Sequence, residues 1–199
     1  MQSLEARPLL VDTNRITLRV TRLEFEQLCQ DNPELRLELT AKGELVTMPP
    51  VGLAGSEKNG DFFGYVWSWN LKTALGRIFD SSGGFTLPSG AIRSADVMWI
   101  ENSKAKNVSF EVTFPTLVPD FLIELRSKSD SLKLLQDKMG EYKMNGVRLG
   151  WLINPQKKQV EIYRLGQEKE VLQSPTTLSG EEVLPGFVLE IGKIKDFLL

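Results

Sequence analysis

The sequence has no histidine, and Cys29 is its single cysteine. The absence of histidine excludes Ser-His-Asp and Cys-His nucleophilic catalysis, HExxH zinc sites and acid–base chemistry by imidazole. A lone cysteine cannot form a disulfide within the chain, and no neighbouring residue is suited to activate its thiol, so we expect a small core side chain. An enzyme with this composition must use carboxylates, lysines, hydroxyl groups or a hard metal ion.

Long apolar runs and a large net charge are also missing. Apolar runs such as "WLI" and "FLI" are far shorter than the roughly 20 residues of a membrane span, and the N-terminus lacks the apolar region of a signal peptide. We therefore expect a soluble, cytoplasmic protein without membrane contact. The 24 basic and 26 acidic residues give a net charge of −2, without the basic excess common among nucleic-acid-binding proteins.

The N-terminal half predicts two helices separated by a hairpin. With 199 residues and 41% hydrophobic content, the chain can bury one sizeable core, which predicts a single domain over residues 1–199. Thr21 stands three residues before Glu24, a pattern that caps a helix. The segments "LRLEL" and "ELVTM" alternate apolar and polar residues around "TAKG", which predicts the hairpin. The second helix has apolar residues at helical spacing: Phe62, Phe63, Val66, Trp67 and Leu71.

The C-terminal half predicts a strand, a helix and another strand. These are "DFLIEL", "SDSLKLLQDKMGEYKMNG" and "LGWLIN", and the helix ends at Asn145 and Gly146, a usual helix stop. A helical crossover makes the two strands parallel neighbours. Together with short strands in "RIFDSSGGFTLPSGAIRSADVMWI", this order predicts a mixed β-sheet flanked by helices, in the α/β or α+β class.

Glu124 interrupts the apolar run "FLIEL", which otherwise has the pattern of a buried strand. A buried carboxylate is costly without a partner, a metal ion or a pKa shift, so either this side of the strand is exposed or Glu124 has a specific ligand. Asp120 cannot share a metal ion with Glu124, because four residues of a strand span about 13 Å and metal–oxygen distances are about 2.1 to 2.5 Å. The candidate partner is Asp96, before "VMWI"; its alternative role is to begin a strand or turn.

Three more charged residues are candidates for the same site. Arg126 follows Glu124 by two residues, shares its side of the strand, and can hold a phosphate but cannot serve as a base. Lys138 lies beside the apolar stripe of the predicted helix, where it either leans toward the sheet or covers apolar surface with its stem. Glu57 begins the aromatic helix, and the helix dipole alone would favour an acid there.

A local excess of basic residues surrounds these candidates. Between positions 126 and 148, six basic residues outnumber three acidic ones. Such a run is either a solvated helix face or a surface that offsets phosphate charge.

Three segments carry a resemblance to a known family: "FTLPSGAIRSADVMWI", "FLIELRSKSDSLKLLQDKMGEYKMNGVRLGWLINPQKKQVEIYR" and "GEEVLPGFVLEI". They resemble the bacterial Uma-two family of restriction-endonuclease-like proteins, within the PD-(D/E)XK nuclease superfamily. The similarity covers about residues 14–191. It implies a restriction-endonuclease-like mixed β-sheet flanked by helices.

The resemblance also implies roles for individual residues. Asp96 matches the family's first acid, Glu124 its second, and Lys138 in "LQDKMGEY" the lysine that the following helix supplies. Glu57 in "GSEKNGD" matches a helix acid that binds or orients water near the metal. Asp96, Glu124 and the Leu125 carbonyl would hold Mg²⁺, with Mn²⁺ as a substitute, and Lys138 would stabilise the attacking hydroxide or the developing charge.

The implied substrate is DNA, whose phosphates Arg126 and Lys128 would contact. A homodimer is expected, because two sites related by a two-fold axis can cut both strands. The sequence departs from the family pattern at Ala95, where proline is usual, and at Lys128, where "SPS" is usual; neither change removes a predicted ligand. Two alternatives stay open: a catalytically inactive module that binds nucleic acid or protein, and a defence or mobile-element accessory that acts through dimeric assembly.

Overall fold

A six-stranded sheet with helices on both faces organises the structure, a computed structural model that describes residues 17–48 and 50–194. The helices are α1 (Arg22–Asp31), α2 (Leu53–Thr73), α3 (Asn102–Ala105) and α4 (Leu132–Met144). The strands are β1 (Arg36–Leu39), β2 (Leu45–Met48), β3 (Gly76–Asp80), β4 (Phe85–Thr86), β5 (Ile92–Arg93), β6 (Val97–Glu101), β7 (Phe121–Leu125), β8 (Leu149–Asn154), β9 (Gln159–Arg164), β10 (Glu170–Gln173), β11 (Leu178–Ser179) and β12 (Val188–Leu189). The predicted mixed sheet flanked by helices is confirmed.

The large sheet has the strand order β10-β9-β8-β7-β6-β3. Strands β7 and β8 are parallel and are joined by α4, with Glu124 beside Leu152 in their register. The other neighbouring pairs in this sheet are antiparallel. The crossover predicted between "DFLIEL" and "LGWLIN" is therefore confirmed.

A smaller sheet has the order β2-β1-β5-β4. Its hairpin of β1 and β2 is the predicted one, and the predicted capping box at Thr21 and Glu24 begins α1. Strand β1 pairs with β5 through Leu39 and Ile92. This pairing brings Glu38 next to the segment that leads into β6.

Helix α2 covers one face of the large sheet. Its buried side chains are Phe62, Val66 and Trp69. The predicted apolar face is wrong at Leu71, which is 66% exposed; Trp69 takes its place because the indole ring packs edge-on against Trp99 at a centroid distance of 5.6 Å. Although α2 has 21 residues, neither it nor any other helix in the described ranges has the length and apolarity to cross a membrane.

Helix α4 covers the opposite face, where it buries Met139 and Tyr142. It approaches β8 closely because Gly150 has no side chain. A Cβ atom there would lie 2.7 Å from Met139 Cε and 3.3 Å from Leu122 Cδ1, and carbon atoms repel each other at such distances. The close approach holds Lys138, the residue before Met139, against the end of β7.

Candidate active site

The two predicted acids lie at neighbouring ends of two adjacent strands of the large sheet. Asp96 directly precedes β6, and Glu124 is the penultimate residue of β7. Val97 lies opposite Ile123 in the antiparallel register of these strands, so the next pair in that register is Asp96 with Glu124. Opposed residues of an antiparallel pair place their side chains on one face, with Cβ atoms about 4.5–5.5 Å apart. The carboxylates therefore come from the ends of different strands, and they are close enough for the charge of Asp96 to raise the pKa of Glu124.

Asp96 is held by hydrogen bonds to both of its carboxylate oxygens. The backbone N–H of Leu125 donates to Oδ2 over 2.7 Å, and Asn59 Nδ2 donates to Oδ1 over 3.1 Å. Burial raises the pKa of Asp96, although the Leu125 N–H and the charge of Lys138 favour the ionised form. Asp96 is thus a fixed carboxylate that takes up a proton more readily than an exposed aspartate does.

Glu124 is 5% exposed and bonds to two residues of α4. Its Oε1 atom lies 2.8 Å from Lys138 Nζ, and Tyr142 Oη donates to the same oxygen over 3.0 Å. Burial raises the pKa of Glu124 to about 7, with the charges of Asp96 and Glu38 adding to the increase and Lys138 opposing it. Near neutral pH this glutamate therefore exists in both protonation states.

Lys138 leans toward the sheet, the first of the two alternatives drawn from its sequence. Its Nζ atom lies 2.8 Å from Glu124 Oε1, from Glu38 Oε1 and from the carbonyl oxygen of Ser94. Burial alone would lower the pKa of Lys138, but the charges of Glu124 and Glu38 outweigh burial and raise it. The ammonium group is therefore charged at neutral pH, with all three of its N–H donors occupied.

Glu38 is a site residue that the sequence patterns did not reveal. It is 2% exposed and, besides Lys138, pairs with Arg93 Nη1 at 3.0 Å and accepts a hydrogen bond from the Ser94 N–H at 3.0 Å. Burial alone would raise the pKa of Glu38, but the charges of Lys138 and Arg93 outweigh it and lower the pKa. Its position in "LRLEL", between two leucines of an alternating strand, predicts exposure to solvent, so the pattern gave no signal of this role.

The other predicted site residues lie around this group. Arg126 Nη1 donates to Asn154 Oδ1 over 3.3 Å and its Nε atom donates to the Asp130 carbonyl over 3.2 Å, while Lys128 is exposed. Glu57 is exposed on α2 and is not among the residues that line the cavity beside Asp96. Asn59, two residues further along α2, makes the contact to Asp96 instead. The predicted role of Glu57 stays a prediction.

Asp120 lies at the other end of β7, as the geometry of the strand requires. It is fully buried, pairs with Lys104 at 2.7 Å and Arg148 at 3.5 Å, and accepts a hydrogen bond from the Glu101 N–H at 2.9 Å. These contacts hold the ends of β6, β7 and β8 together. Pro119 and Asp120 form a literal Pro-Asp pair in the sequence. Its aspartate is therefore part of a structural network, away from Glu124.

The basic excess between positions 126 and 148 is largely engaged with partners in the chain. Lys133 pairs with Asp137, Lys143 donates to the Gln167 carbonyl over 2.8 Å, and Arg148 pairs with Asp120. Lys138 is buried. Of the six basic residues, Arg126 and Lys128 lie just after the end of β7. Arg126 is partly exposed to solvent and Lys128 is exposed.

A cavity of about 440 Å³ opens beside Asp96. Its lining includes Arg36, Ser56, Asn59, Phe63, Asp80 and Asp96. A cavity of similar volume, about 450 Å³, lies near Lys104 and Asn145, and no acidic side chain lines it. Of these two cavities, the one beside Asp96 gives access to a carboxylate of the site.

Oxygen atoms are the donors available to a cation here. No set of three or more carboxylate or thiol groups in the described part of the chain is placed to hold a metal ion. A cation at this site would therefore need neutral oxygen donors in addition to Asp96 and Glu124. Asn59 Oδ1 is such an atom: it is buried and has no hydrogen-bond partner among the described residues.

Comparison with known proteins gives a family and a fold. The sequence matches the Uma2 family, described as "Putative restriction endonuclease", over residues 22–192. A crystal structure described as "a putative nuclease belonging to DUF820 from Anabaena variabilis ATCC 29413" superposes with a TM-score of 0.73 at 20% sequence identity, covering 83% of this chain and 93% of that chain. At this identity the likeness concerns the fold. Comparison with curated proteins gives no match.

Proposed function

The chain belongs to the Uma2 family, and we propose that it is an endonuclease that hydrolyses phosphodiester bonds of DNA with a divalent cation. The observation that carries the proposal is the convergence of Asp96 and Glu124 from adjacent strands, with the Lys138 ammonium 2.8 Å from Glu124. Two carboxylates and one lysine are sufficient for metal-assisted hydrolysis without histidine.

The donors at the site fit a hard divalent cation. Asp96, Glu124 and the Leu125 carbonyl would hold Mg²⁺, or Mn²⁺ in its place, because these ions prefer oxygen ligands and keep several waters when one or two carboxylates bind them. The bound cation would polarise a phosphate group and lower the pKa of a coordinated water.

Lys138 supplies positive charge where negative charge develops during hydrolysis. Its raised pKa keeps the ammonium protonated near pH 7, so it cannot act as a general base. If Glu124 turned to a bound cation, the N–H that now contacts Glu124 would be free to bond to a phosphate oxygen or a hydroxide. Glu38 and the Ser94 carbonyl fix the position of its Nζ atom. A fixed ammonium needs little reorganisation when the reaction occurs.

Arg126 and Lys128 are the proposed contacts to DNA phosphates near the cleaved bond. Arg126 is held by Asn154 and by the Asp130 carbonyl at the end of β7, and Lys128 follows in the exposed loop. A guanidinium and an ammonium offer the donors and the charge that phosphates bind. A homodimer belongs to this proposal, since cleavage of both strands is simplest with two sites related by a two-fold axis.

A non-catalytic binding module is the second candidate, and the ion pairs of the site favour it. Lys138 is already neutralised by Glu38 and Glu124. If those pairs persist in solution, the site is a buried structural network and the chain binds nucleic acid or protein without cleaving it. Calorimetry with Mg²⁺ and Mn²⁺ separates the two candidates, because the module requires no cation.

Cleavage of plasmid, linear and single-stranded DNA tests the proposed function. The wild-type protein should cleave at least one form with Mg²⁺ or Mn²⁺ and none with a chelator. Asp96→Asn and Glu124→Gln should each lose cleavage by about 100-fold or more, a usual cost of removing a group that stabilises transition-state charge. Glu161→Gln is the matched control, because Glu161 is a buried glutamate on β9 that bonds to Lys169, Tyr163 and Gln136. Intact DNA under all conditions would refute the proposal.

A further inference from the structure

We infer that Asn59 supplies a further oxygen ligand, its side-chain Oδ1 atom, to the divalent cation at Asp96. The inference rests on the proposed function and adds to its cation site a residue of α2. Asn59 would thus link the helix on one face of the sheet to the acids at the strand ends.

The first observation is the unpaired acceptor itself. Asn59 Oδ1 is buried and has no hydrogen-bond partner among the residues described, while Nδ2 donates to Asp96 Oδ1 over 3.1 Å. An ionised carboxylate accepts hydrogen bonds and cannot donate them, so the amide group that faces Asp96 must be the NH₂. Oδ1 is then left for another partner. Buried acceptors without partners are rare and unfavourable, and a bound ion satisfies such an acceptor.

The second observation is the direction of α2. Ser56, Asn59 and Phe63 line the cavity beside Asp96, and their spacing of three and four residues places them on one face of the helix. Glu57 lies about 100° around the helix from Ser56, since α-helices have about 3.6 residues per turn. The helix therefore turns Asn59, rather than Glu57, toward the carboxylate.

The third observation is the charge balance of the site. Glu124 is buried and Asp96 is partly buried, so both carboxylates are largely removed from water. Without a bound cation, a third carboxylate from α2 would add another negative charge that burial disfavours. An amide oxygen binds hard cations without adding charge. Two carboxylates already match the charge of a divalent ion, so a neutral third donor suits the site.

Calorimetric titration of the full-length protein with Mn²⁺ at pH 8 tests the inference. We expect Asn59→Leu to bind Mn²⁺ about 10- to 100-fold more weakly than the wild type, the usual range when a residue that supports a metal site is lost. We expect Asn59→Asp to bind at least as tightly as the wild type, because it keeps an oxygen at this position. Ser56→Ala is the matched control, since Ser56 lines the same cavity one turn earlier, and it should bind like the wild type.

The Asp variant separates a ligand from a residue that merely positions Asp96. Asn59→Asp loses the Nδ2 donor, so a positioning role alone predicts that it binds Mn²⁺ as weakly as Asn59→Leu, and that result would overturn the inference. Melting temperatures without Mn²⁺ check that the variants fold. If Asn59→Leu does not fold, Asn59→Ala takes its place in the titration. If Glu124→Gln loses Mn²⁺ binding while Asn59→Leu keeps it, the inference fails and the proposed function stands. A wild-type protein that binds neither Mn²⁺ nor Mg²⁺ overturns both.

Discussion

Glu38 Oε1 lies 2.8 Å from Lys138 Nζ, which joins strand β1 of the small sheet to helix α4 of the large sheet through a buried ion pair. Glu124 Oε1 lies at the same distance from that Nζ atom. One ammonium group therefore serves two carboxylates, and Arg93 gives Glu38 a second cationic partner. The consequence is that Glu38, a residue of the hairpin, determines where Lys138 stands relative to Glu124.

Glu38→Gln should destabilise the protein and reduce its cleavage of DNA. Removing one member of a buried ion pair leaves the other charge uncompensated and costs about 3–5 kcal/mol of unfolding free energy. Lys138 would also lose the contact that fixes its Nζ atom. Urea unfolding at pH 7 measures the first effect, and the cleavage rate of the folded fraction measures the second.

Glu161→Gln serves as the control for this prediction as well. Glu161 is 4% exposed and bonds to Lys169 at 2.8 Å, so its replacement also removes a buried carboxylate from an ion pair. It should lower stability and leave the cleavage rate unchanged. Equal losses of cleavage in Glu38→Gln and Glu161→Gln would show that Glu38 has no specific effect on the site.

Sequence patterns predicted the strand–helix–strand unit and the residues on it. An acid inside "FLIEL" stands out against apolar neighbours, and helical periodicity predicts the face on which Lys138 lies. Glu38 gave no such signal, because an acid between leucines is normal on a solvent-facing side of a strand. It is buried because β1 pairs with β5, a contact between residues far apart in sequence. Asn59 was missed because its unpaired oxygen exists only in the folded structure.

The stability of Glu124→Gln relative to the wild type should increase from pH 5 to pH 8. Burial raises the pKa of Glu124 from 4.5 to about 7. Between these values the folded state keeps the proton and the unfolded state releases it, so wild-type stability falls as the pH rises from about 4.5 to 7. Glutamine carries no charge and avoids this loss.

Urea unfolding midpoints from pH 5 to pH 8 measure this difference. The range excludes lower pH, because the pKa of Glu38 is lowered and protonation of Glu38 there removes stability in both proteins. The neighbouring charged residues Lys138, Asp96 and Glu38 remain in the variant. The raised pKa of Asp96 therefore changes the stability of the wild type and of the variant in the same direction as the pH rises. Parallel curves for the two proteins over this range would contradict the prediction.

Lys138→Met should move cation binding to higher pH. A cation must displace the proton from Glu124, so Mn²⁺ affinity should rise with pH up to the pKa of about 7, by at most about tenfold per pH unit for one proton. The charge of Lys138 opposes the increase in this pKa. Without the ammonium, the pKa of Glu124 rises further. The curve of Mn²⁺ affinity against pH therefore shifts to higher pH.

Mn²⁺ titrations from pH 6 to pH 9 follow this shift. Lys133→Met is the control, because Lys133 lies on the same helix, is 76% exposed and pairs with Asp137 at the surface. The control should reproduce the wild-type curve. A Lys138→Met curve that coincides with the wild type would mean that Lys138 does not influence the ionisation of Glu124.

Asp120→Asn should lower stability without changing cleavage by the folded protein. Asp120 is fully buried and pairs with Lys104 and Arg148, so the neutral side chain loses charged hydrogen bonds at a cost of about 1–3 kcal/mol. Asparagine keeps one oxygen for the Glu101 N–H.

Asp96→Asn, by contrast, should abolish cleavage. Because Asp120 belongs to the literal Pro-Asp pair and Asp96 follows Ala95, the comparison tests whether the geometry of the strands or the dipeptide identifies the acid of the site. A folded Asp120→Asn protein that cannot cleave DNA would favour the dipeptide.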